Sequence, residues 1–298
     1  MQLKEFKADL VPREGRLQVF AKRNVLNEIL AGEWISNIKS IGVEFAGYRA
    51  YTAADDSKLI DWKASLRAKK MLIKELEVER SHNVFFLVDV SDSMLFASTE
   101  KLKCEYAAEV ISSIAFAVLR SGDNVGLAMF TDKLVSKIPP QIGRAQYYRI
   151  NKVLSNPLSY GGNFDLGKAI KYTISFLNMK CTIILVSDFL KFDESYSKYI
   201  EYLSQSYNLI GIMVVDPRDE EVSEMTGQVI LEDPYSDKKL HIDTMEYSKL
   251  YAIKARENEE KIRRIFEVNA SPLLKLRTDK DYYEPMIEFF RRKEKGWA

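Results

Sequence analysis

Continuous apolar runs of strand length, alternating with helix-like segments, constrain the fold of this chain from residue 83 onward. Four of these runs read NVFFLVDV, NVGLAMF, CTIILVS and NLIGIMVVD. Strands that are apolar on both faces are typical of parallel sheets that helices cover on both sides. The segment EYAAEVISSIAFAVLR, between the first two runs, has the apolar spacing of a helix. The alternation predicts an α/β fold with a doubly wound, mostly parallel sheet of the Rossmann type.

The remaining segments complete this prediction. An edge-like strand is expected at KLVSKIPP, followed by helices at RAQYYRINKVLS, FDLGKAIKYTISFLN and DESYSKYIEYLSQ. Downstream, GQVILEDPYSDKKLHIDT is typical of a hairpin, and a long charged helix is expected over about residues 245–268. The segments PLLKLRT and DYYEPMIEFFRRK predict a final strand and helix.

The first 80 residues have a different pattern and predict an N-terminal α+β extension. An amphipathic helix is expected over residues 17–40, followed by an extended segment and a polar turn. A short helix around residues 60–69 and a strand over residues 72–78 complete this module. The predicted domains are therefore residues 1–80 and residues 81–298.

The charge balance and the cysteine content limit the class of protein. The chain has 44 basic and 43 acidic residues, so it has no global field that would attract nucleic acid. Its two cysteines do not make a disulfide framework. Neither a signal peptide nor an apolar run of about 18 residues is visible. We expect a cytoplasmic protein without a membrane span and without a nucleic-acid partner.

Three oxygen-bearing side chains alternate at the end of the first apolar run, at Asp89, Ser91 and Ser93. In an extended segment, side chains at every second position point the same way. The carboxyl end of a central strand is also where open α/β sheets place their ligand crevices. An all-oxygen set suits Mg²⁺ or Mn²⁺ better than zinc. The alternative is a strand-to-loop cap, in which these oxygens accept hydrogen bonds from backbone N–H groups.

A second acid follows another apolar run, because CTIILVSDF places Asp188 directly after a strand. The carboxyl ends of parallel strands meet at one edge of a sheet, so we expect Asp188 to lie near Asp89. There it would help to hold a cation, either directly or through water.

The pattern at Asp89, Ser91, Ser93 and Asp188 resembles the metal-ion-dependent adhesion site of von Willebrand factor A domains. The resemblance implies a von Willebrand A-like fold and a binding module whose cation keeps one coordination position for a partner's carboxylate. Members of that family usually supply a threonine after paired glycines as a further metal ligand. Here YGGNFDLGKAI has Asn163 or Phe164 at that place, so Asn163 and Asp165 are the substitute ligands.

A closer resemblance covers most of the chain. The segments YRAYTAADDSKLIDWKASLRAKKMLIKELEVER, VVDPRDEEV, LEDPYSDKKLHIDT and LRTDKDYYEPMIEFFRRK are similar to domain-of-unknown-function family fifty-eight. Members of that family carry an A-like domain and are often encoded beside MoxR-type AAA ATPases. The resemblance therefore implies a partnership with such an ATPase. One departure is Ala54-Asp55-Asp56 with Lys58, where the family usually has Gly-Asp and an arginine.

Other functions compete with this interpretation. The segment GNFDLGKA has the spacing of a phosphate-binding loop, but the preceding SNPLSY is a poor strand with Pro157 inside it, and Ala169 follows the lysine. Basic residues between Lys63 and Lys74 are typical of a solvated face or of a surface that docks an acidic partner. The two histidines do not form a catalytic pair that we can name from sequence.

The favoured prediction is a non-enzymatic adaptor that binds a protein partner through a magnesium-assisted site. A metal-dependent hydrolase or phosphoryl-transfer enzyme remains an alternative, because the same acids and cation could serve it. A metal-free scaffold is the third hypothesis.

Overall fold

The computed structural model describes residues 6–10, 43–52, 55, 60–78, 82–177, 179–221, 228–232 and 239–294. The chain divides into a smaller unit within residues 33–81 and a larger unit formed by residues 1–32 and 82–298. This division differs from the predicted module of residues 1–80, because residues 6–10 contact the larger unit. The helix predicted over residues 17–40 lies outside the described residues.

The smaller unit contains an antiparallel pair of strands and one short helix. Its elements are β1 (Val43–Ala50), α1 (Trp62–Ala68) and β2 (Leu72–Val78). Asp61 caps the N-terminus of α1, because its carboxylate accepts hydrogen bonds from the backbone N–H groups of Lys63 and Ala64 at 3.0 and 3.1 Å. The predicted short helix and the strand after it are confirmed.

The larger unit alternates strands and helices as predicted. Its strands are β3 (Asn83–Asp89), β4 (Asn124–Phe130), β5 (Leu134–Gln141), β6 (Thr182–Ser187), β7 (Asn208–Val215), β8 (Gln228–Glu232), β9 (Lys239–Asp243) and β10 (Leu273–Arg277). Its helices are α2 (Lys103–Arg120), α3 (Arg144–Leu154), α4 (Leu166–Phe176), α5 (Ser197–Ser206), α6 (Pro217–Glu220), α7 (Thr244–Val268) and α8 (Tyr283–Glu294). Strands β8 and β9 pair antiparallel, which confirms the predicted hairpin.

Six of these strands form one sheet in the order β10-β7-β6-β3-β4-β5. All neighbouring pairs are parallel except β4 with β5, so the antiparallel strand lies at an edge. Numbered along the chain and read from β5, the order is 3-2-1-4-5-6, which is a doubly wound arrangement. The order reverses between β3 and β6. The predicted fold class is confirmed, and ligand crevices of such sheets lie at this reversal.

Helices cover both faces of the sheet. Side chains of α2, α3 and α8 pack on one face, and those of α4, α5 and α7 pack on the other. Along β3, Val84, Phe86 and Val88 join the first cluster, while Phe85 and Leu87 join the second. This alternation explains why β3 is apolar at every position between its first residue, Asn83, and its last, Asp89. Within the described part of the chain, no helix combines the length and apolarity that a membrane span requires.

Candidate functional site

Asp89 is the last residue of β3 and lies at the point where the strand order reverses. It is 0% exposed. Its Oδ1 accepts a hydrogen bond from the backbone N–H of Ser91 at 2.9 Å, and its Oδ2 accepts one from the Ser187 hydroxyl at 2.6 Å. Because β3 and β6 run parallel and in register, the ends of both strands meet here. The carboxylate is thus fixed between two strands.

Ser91 and Ser93 are both buried, and their hydroxyl oxygens lie 3.4 Å apart. The predicted convergence of these two hydroxyls is confirmed, but its cause differs from the prediction. The backbone is extended only as far as Ser91, and a 3₁₀ turn over Asp92–Leu95 follows. The turn, rather than strand alternation, brings the Ser93 side chain back toward Ser91.

Asp188 follows β6, as predicted, and both of its carboxylate oxygens have hydrogen-bond donors. Oδ2 receives the ammonium of Lys103 at 2.7 Å, and Oδ1 receives the backbone N–H of Leu190 at 3.1 Å. Phe189, the residue between Asp188 and Leu190, has a φ of 54°, which is uncommon for a bulky residue. The tight turn therefore fixes Asp188 at the end of its strand.

Lys103 was not predicted, yet it is the buried cation of this region. Its side chain is 0% exposed, and its ammonium also contacts Asp219 at 2.9 Å. Burial alone would lower the pKa of Lys103, but the charges of Asp188 and Asp219 outweigh burial and raise it. The lysine therefore remains charged. No local sequence signal identifies it, because its partners Asp188 and Asp219 lie 85 and 116 residues further along the chain.

The electrostatics single out Asp89 within this group. Burial, and then the negative charge of Asp188, raise the pKa of Asp89 to about 7. Hydrogen bonds from Ser187 and Ser91 oppose this rise without cancelling it. A buried carboxylate with a raised pKa is stabilised by any positive charge that approaches it, whether a proton or a metal ion.

The glycine loop before α4 lies against the loop that carries the two serines. Gly161 donates its N–H to the carbonyl of Val90 at 2.8 Å, and the carbonyl of Gly162 accepts from Asp92 N–H at 2.9 Å. Both glycines have positive φ values, of 103° and 120°. The Gly-Gly pair thus allows a close approach of two loops that a side chain would strain.

The residues after these glycines differ in their surroundings. Asn163 is exposed, whereas the Phe164 ring is buried against Phe130 and Tyr196. Asp165 caps α4, because its Oδ1 accepts from the backbone N–H of Lys168 at 2.9 Å. Asp165 therefore has a structural role, and its role as a metal ligand, like that of Asn163, stays a prediction.

Two further residues near this edge were missed by the sequence analysis. Thr131, directly after β4, is buried, and its side chain lies about 3.5 Å from the place of a Cβ on Gly162. Asp216, directly after β7, is buried and accepts hydrogen bonds from Ser98, including its backbone N–H at 2.7 Å. The rule that identified Asp188, an acid directly after an apolar strand, also applies to Asp216.

The remaining residues considered for catalysis or metal binding have the following surroundings. No cluster of three or more His, Cys, Asp or Glu side chains suited to a metal ion occurs among them. Both cysteines are buried, and burial raises the pKa of Cys181 to about 12, so its thiolate is scarce at neutral pH. Lys168, the lysine of the phosphate-loop-like spacing, is half-exposed and pairs with Asp165 at 3.3 Å.

Comparisons with known proteins add a family match and distant relatives. A model of the family described as protein of unknown function DUF58 matches residues 47–262. Uncharacterized protein Rv1480 of Mycobacterium tuberculosis strain H37Rv is 24% identical over 91% of this chain and 86% of its own length. Uncharacterized protein YeaD of Bacillus subtilis strain 168 is 31% identical over 41% of this chain and 30% of its own length.

Two solved structures are also similar to parts of the chain. The conserved hypothetical protein BatB from Bacteroides thetaiotaomicron has a TM-score of 0.44 and 14% identity, covering 72% of this chain and 100% of that structure. The SpRpn10 VWA domain has a TM-score of 0.40 and 10% identity, covering 70% of this chain and 94% of that structure.

Proposed function

The chain belongs to the family described as protein of unknown function DUF58, and from that premise we propose that it is a non-enzymatic protein-interaction module. Asp89, Ser91 and Ser93 form its binding site, together with a magnesium ion. The partner contributes an Asp or Glu carboxylate to this ion. The observation that carries the proposal is the buried Asp89 carboxylate beside two buried hydroxyls at the reversal of strand order.

The donor atoms at this site fit Mg²⁺ or Mn²⁺. They are all oxygens, and the negative charge of Asp188 beside Asp89 favours a cation at this place. The residues that hold the ion are Asp89, Ser91 and Ser93. Asp188 adds negative charge next to Asp89. When bound, the ion supplies a positive centre that a carboxylate from another protein can approach.

The surface around this site supports a protein as the ligand. Large apolar side chains are exposed on the connections that follow β3, precede α4 and follow β6: Phe96 at 42%, Leu158 at 85% and Leu190 at 43%. The connection with Leu158 reaches the site through Gly161 and Gly162, which bind the serine loop. Exposed apolar side chains around a polar centre are typical of protein–protein contact sites.

A MoxR-type AAA ATPase is the partner that we propose. The support is the order of sequence segments shared with domain-of-unknown-function family fifty-eight, whose genes often neighbour those of such ATPases. The carboxylate that binds the ion then belongs to an acidic side chain of the ATPase or of a protein that it remodels.

The metal part of the proposal is tested by calorimetric titration of the full chain with Mg²⁺ and Mn²⁺. We expect binding that Ser93→Ala weakens by about tenfold, which is the loss of one good oxygen contact. Ser113→Ala is the matched control, because Ser113 is also buried but contacts the Tyr282 hydroxyl at 3.0 Å. Unchanged binding in Ser93→Ala would remove the site from the proposal.

The partner part is tested by co-purification with a MoxR-type ATPase from the same genome, with Mg²⁺ or with EDTA. We expect capture that EDTA and Ser93→Ala both reduce and that Ser113→Ala leaves intact. If neither EDTA nor Ser93→Ala reduces capture of the ATPase, the metal-free scaffold is favoured. Hydrolysis of nucleotides or phosphoesters by the purified chain, lost in Asp89→Ala, would instead favour the enzyme.

A further inference from the structure

Lys103 occupies an unfavourable position for a lysine. It is the first residue of α2, where the helix dipole disfavours a positive charge, and its side chain is 0% exposed. Burial of an ammonium group is costly unless carboxylates compensate for it. The compensation comes from Asp188 at 2.7 Å and Asp219 at 2.9 Å. Neither helix formation nor core packing explains a lysine here.

The charges around the site do not balance with Lys103 alone. Asp89, Asp188 and Asp219 are carboxylates at the same edge of the sheet, and Lys103 is the cation that contacts two of them. The negative charge of Asp188 acts on Asp89, whose hydrogen bonds come from Ser91 and Ser187, both neutral. Lys103 thus offsets the negative charge of Asp188 and Asp219, whereas the charge of Asp89 is available to another cation.

The geometry around Asp188 also restricts what its carboxylate can do. One oxygen is bound to Lys103 and the other to the backbone N–H of Leu190. The positive φ of Phe189 fixes the turn between them, and the Phe189 ring packs against Phe266 of α7. Asp188 therefore cannot move toward a metal ion without breaking its contact with Lys103.

We propose that Lys103 is a built-in cation that sets the metal affinity of this site, because it holds Asp188 away from the ion and offsets its charge. The inference rests on the proposed function for the identity of the site. Lys103 is a positioning residue, and the site binds its divalent ion weakly and reversibly because one positive charge is already in place. A partner can then complete the coordination of an ion that the chain alone holds loosely.

Two substitutions with opposite expected signs test this role, with Mg²⁺ and Mn²⁺ as probes in calorimetric titration of the full chain. Lys103→Met removes the charge at similar length, so we expect the ion to bind about tenfold more tightly. The midpoint of thermal unfolding should also rise more with Mg²⁺ in this variant than in the wild type. Asp219→Asn removes one negative charge and leaves Lys103 with Asp188 alone, so we expect weaker binding.

Lys101→Met is the matched control, because Lys101 binds Glu109 at 2.7 and 2.8 Å instead of the site acids. Its metal affinity should equal that of the wild type. General damage to the fold would weaken binding in every variant and would not reverse sign between Lys103→Met and Asp219→Asn. If Lys103→Met does not fold even with Mg²⁺, Asp219→Asn decides, and unchanged or tighter binding there overturns the inference.

The outcomes separate this inference from the proposed function. Tighter metal binding in Lys103→Met than in the wild type, together with partner capture that EDTA does not change, supports the inference and contradicts the proposed function. Binding in the wild type that Lys103→Met leaves equal or weaker contradicts the inference and leaves the function standing. Absence of binding in both proteins overturns both.

Discussion

Asp123 shows how a single buried carboxylate makes the stability of this fold depend on pH. It precedes β4, and its Oδ1 accepts the backbone N–H of His82 at 2.7 Å. Its Oδ2 is buried and has no hydrogen-bond partner among the residues that the structure describes. Burial raises the pKa of Asp123, while the hydrogen bond and charge of His82 oppose the rise. The folded chain therefore holds this proton more tightly than the unfolded chain does.

The sign of the pH effect follows from this raised pKa. Protonation of Asp123 stabilises the fold, and that contribution is complete below the ordinary carboxyl range and is lost as pH rises through the raised pKa. In Asp123→Asn the side chain cannot ionise. We expect the free energy of unfolding of the variant, relative to the wild type, to increase from pH 4 to pH 7 in urea titrations. Asp193→Asn, which changes an exposed carboxylate, is the control, and a difference that is constant with pH would contradict the argument.

At the residue scale, the sequence predicted the site acids better than their surroundings. Asp89 and Asp188 could be located because a carboxylate directly after an apolar strand must lie at the sheet edge. Lys103 could not, because its partners are 85 and 116 residues away and only the packing of α2 on the sheet brings them together. The cap formed by Asp165 depends on where α4 begins, which spacing alone leaves uncertain by one turn.

Among the elements, β7 approaches α7 and β10 so closely that it requires a glycine. A Cβ on Gly211 would lie 2.6 Å from both Phe266 and Leu273. We expect Gly211→Ala to lower the free energy of unfolding by about 1–3 kcal/mol through overpacking, measured by urea denaturation. The second substitution Phe266→Leu should cost less in this background than in the wild type, because it makes room for the added methyl group. Additive costs would show that the contact is not the cause.

The connections at the sheet edge give a prediction about binding without a change in stability. Leu158 is 85% exposed, so Leu158→Ser should change the free energy of unfolding by less than about 0.5 kcal/mol. Its affinity for the MoxR-type partner should fall by about tenfold, because an exposed apolar side chain of this size contributes to a protein contact, and an unchanged affinity would exclude Leu158 from that contact. Ile142→Ser is the control. Ile142 is 57% exposed and follows Gln141. Gln141 pairs with Val125 near the start of β4, at the end of the sheet opposite to the site.

Most elements of the larger unit were predictable because burial on both faces leaves a strong apolar pattern. Strand β4 begins and ends as predicted, β3 and β6 differ from the prediction by one residue at one end, and β10 differs by one residue at each end. The beginning of α5 was predicted too early, since a 3₁₀ turn over Glu194–Tyr196 precedes it. Such a turn contains the same polar residues as a helix start, so local sequence does not separate the two.

For the whole molecule, the segment of residues 6–10 joins the start of the chain to the larger unit. The backbone N–H groups of Lys7 and Asp9 donate to the carboxylates of Glu105 and Glu109, which are buried on α2. The carbonyl of Leu10 accepts the Tyr147 hydroxyl at 2.8 Å. The segment therefore adds backbone donors to two buried acids, which also accept hydrogen bonds from Leu102 and Lys101.

Removal of residues 1–10 should lower the free energy of unfolding by about 2–4 kcal/mol, because hydrogen bonds to charged groups and the apolar contacts of Phe6 are lost. Urea denaturation of the truncated and full chains measures this difference. Glu109→Gln should cost less in the truncated chain than in the full chain, since one of its donors is already gone. Equal denaturation midpoints would mean that the segment does not contribute to stability.

The same segment imposes an order on biosynthesis. The bond between Leu10 and Tyr147 joins residues 137 positions apart, which corresponds to roughly 7–27 s of translation at ordinary ribosomal rates. The segment leaves the ribosome long before its binding surface on α2 and α3 exists, so it has no binding site until both helices have been made. A newly made chain therefore passes through a period in which this segment is exposed to chaperones and to other nascent chains.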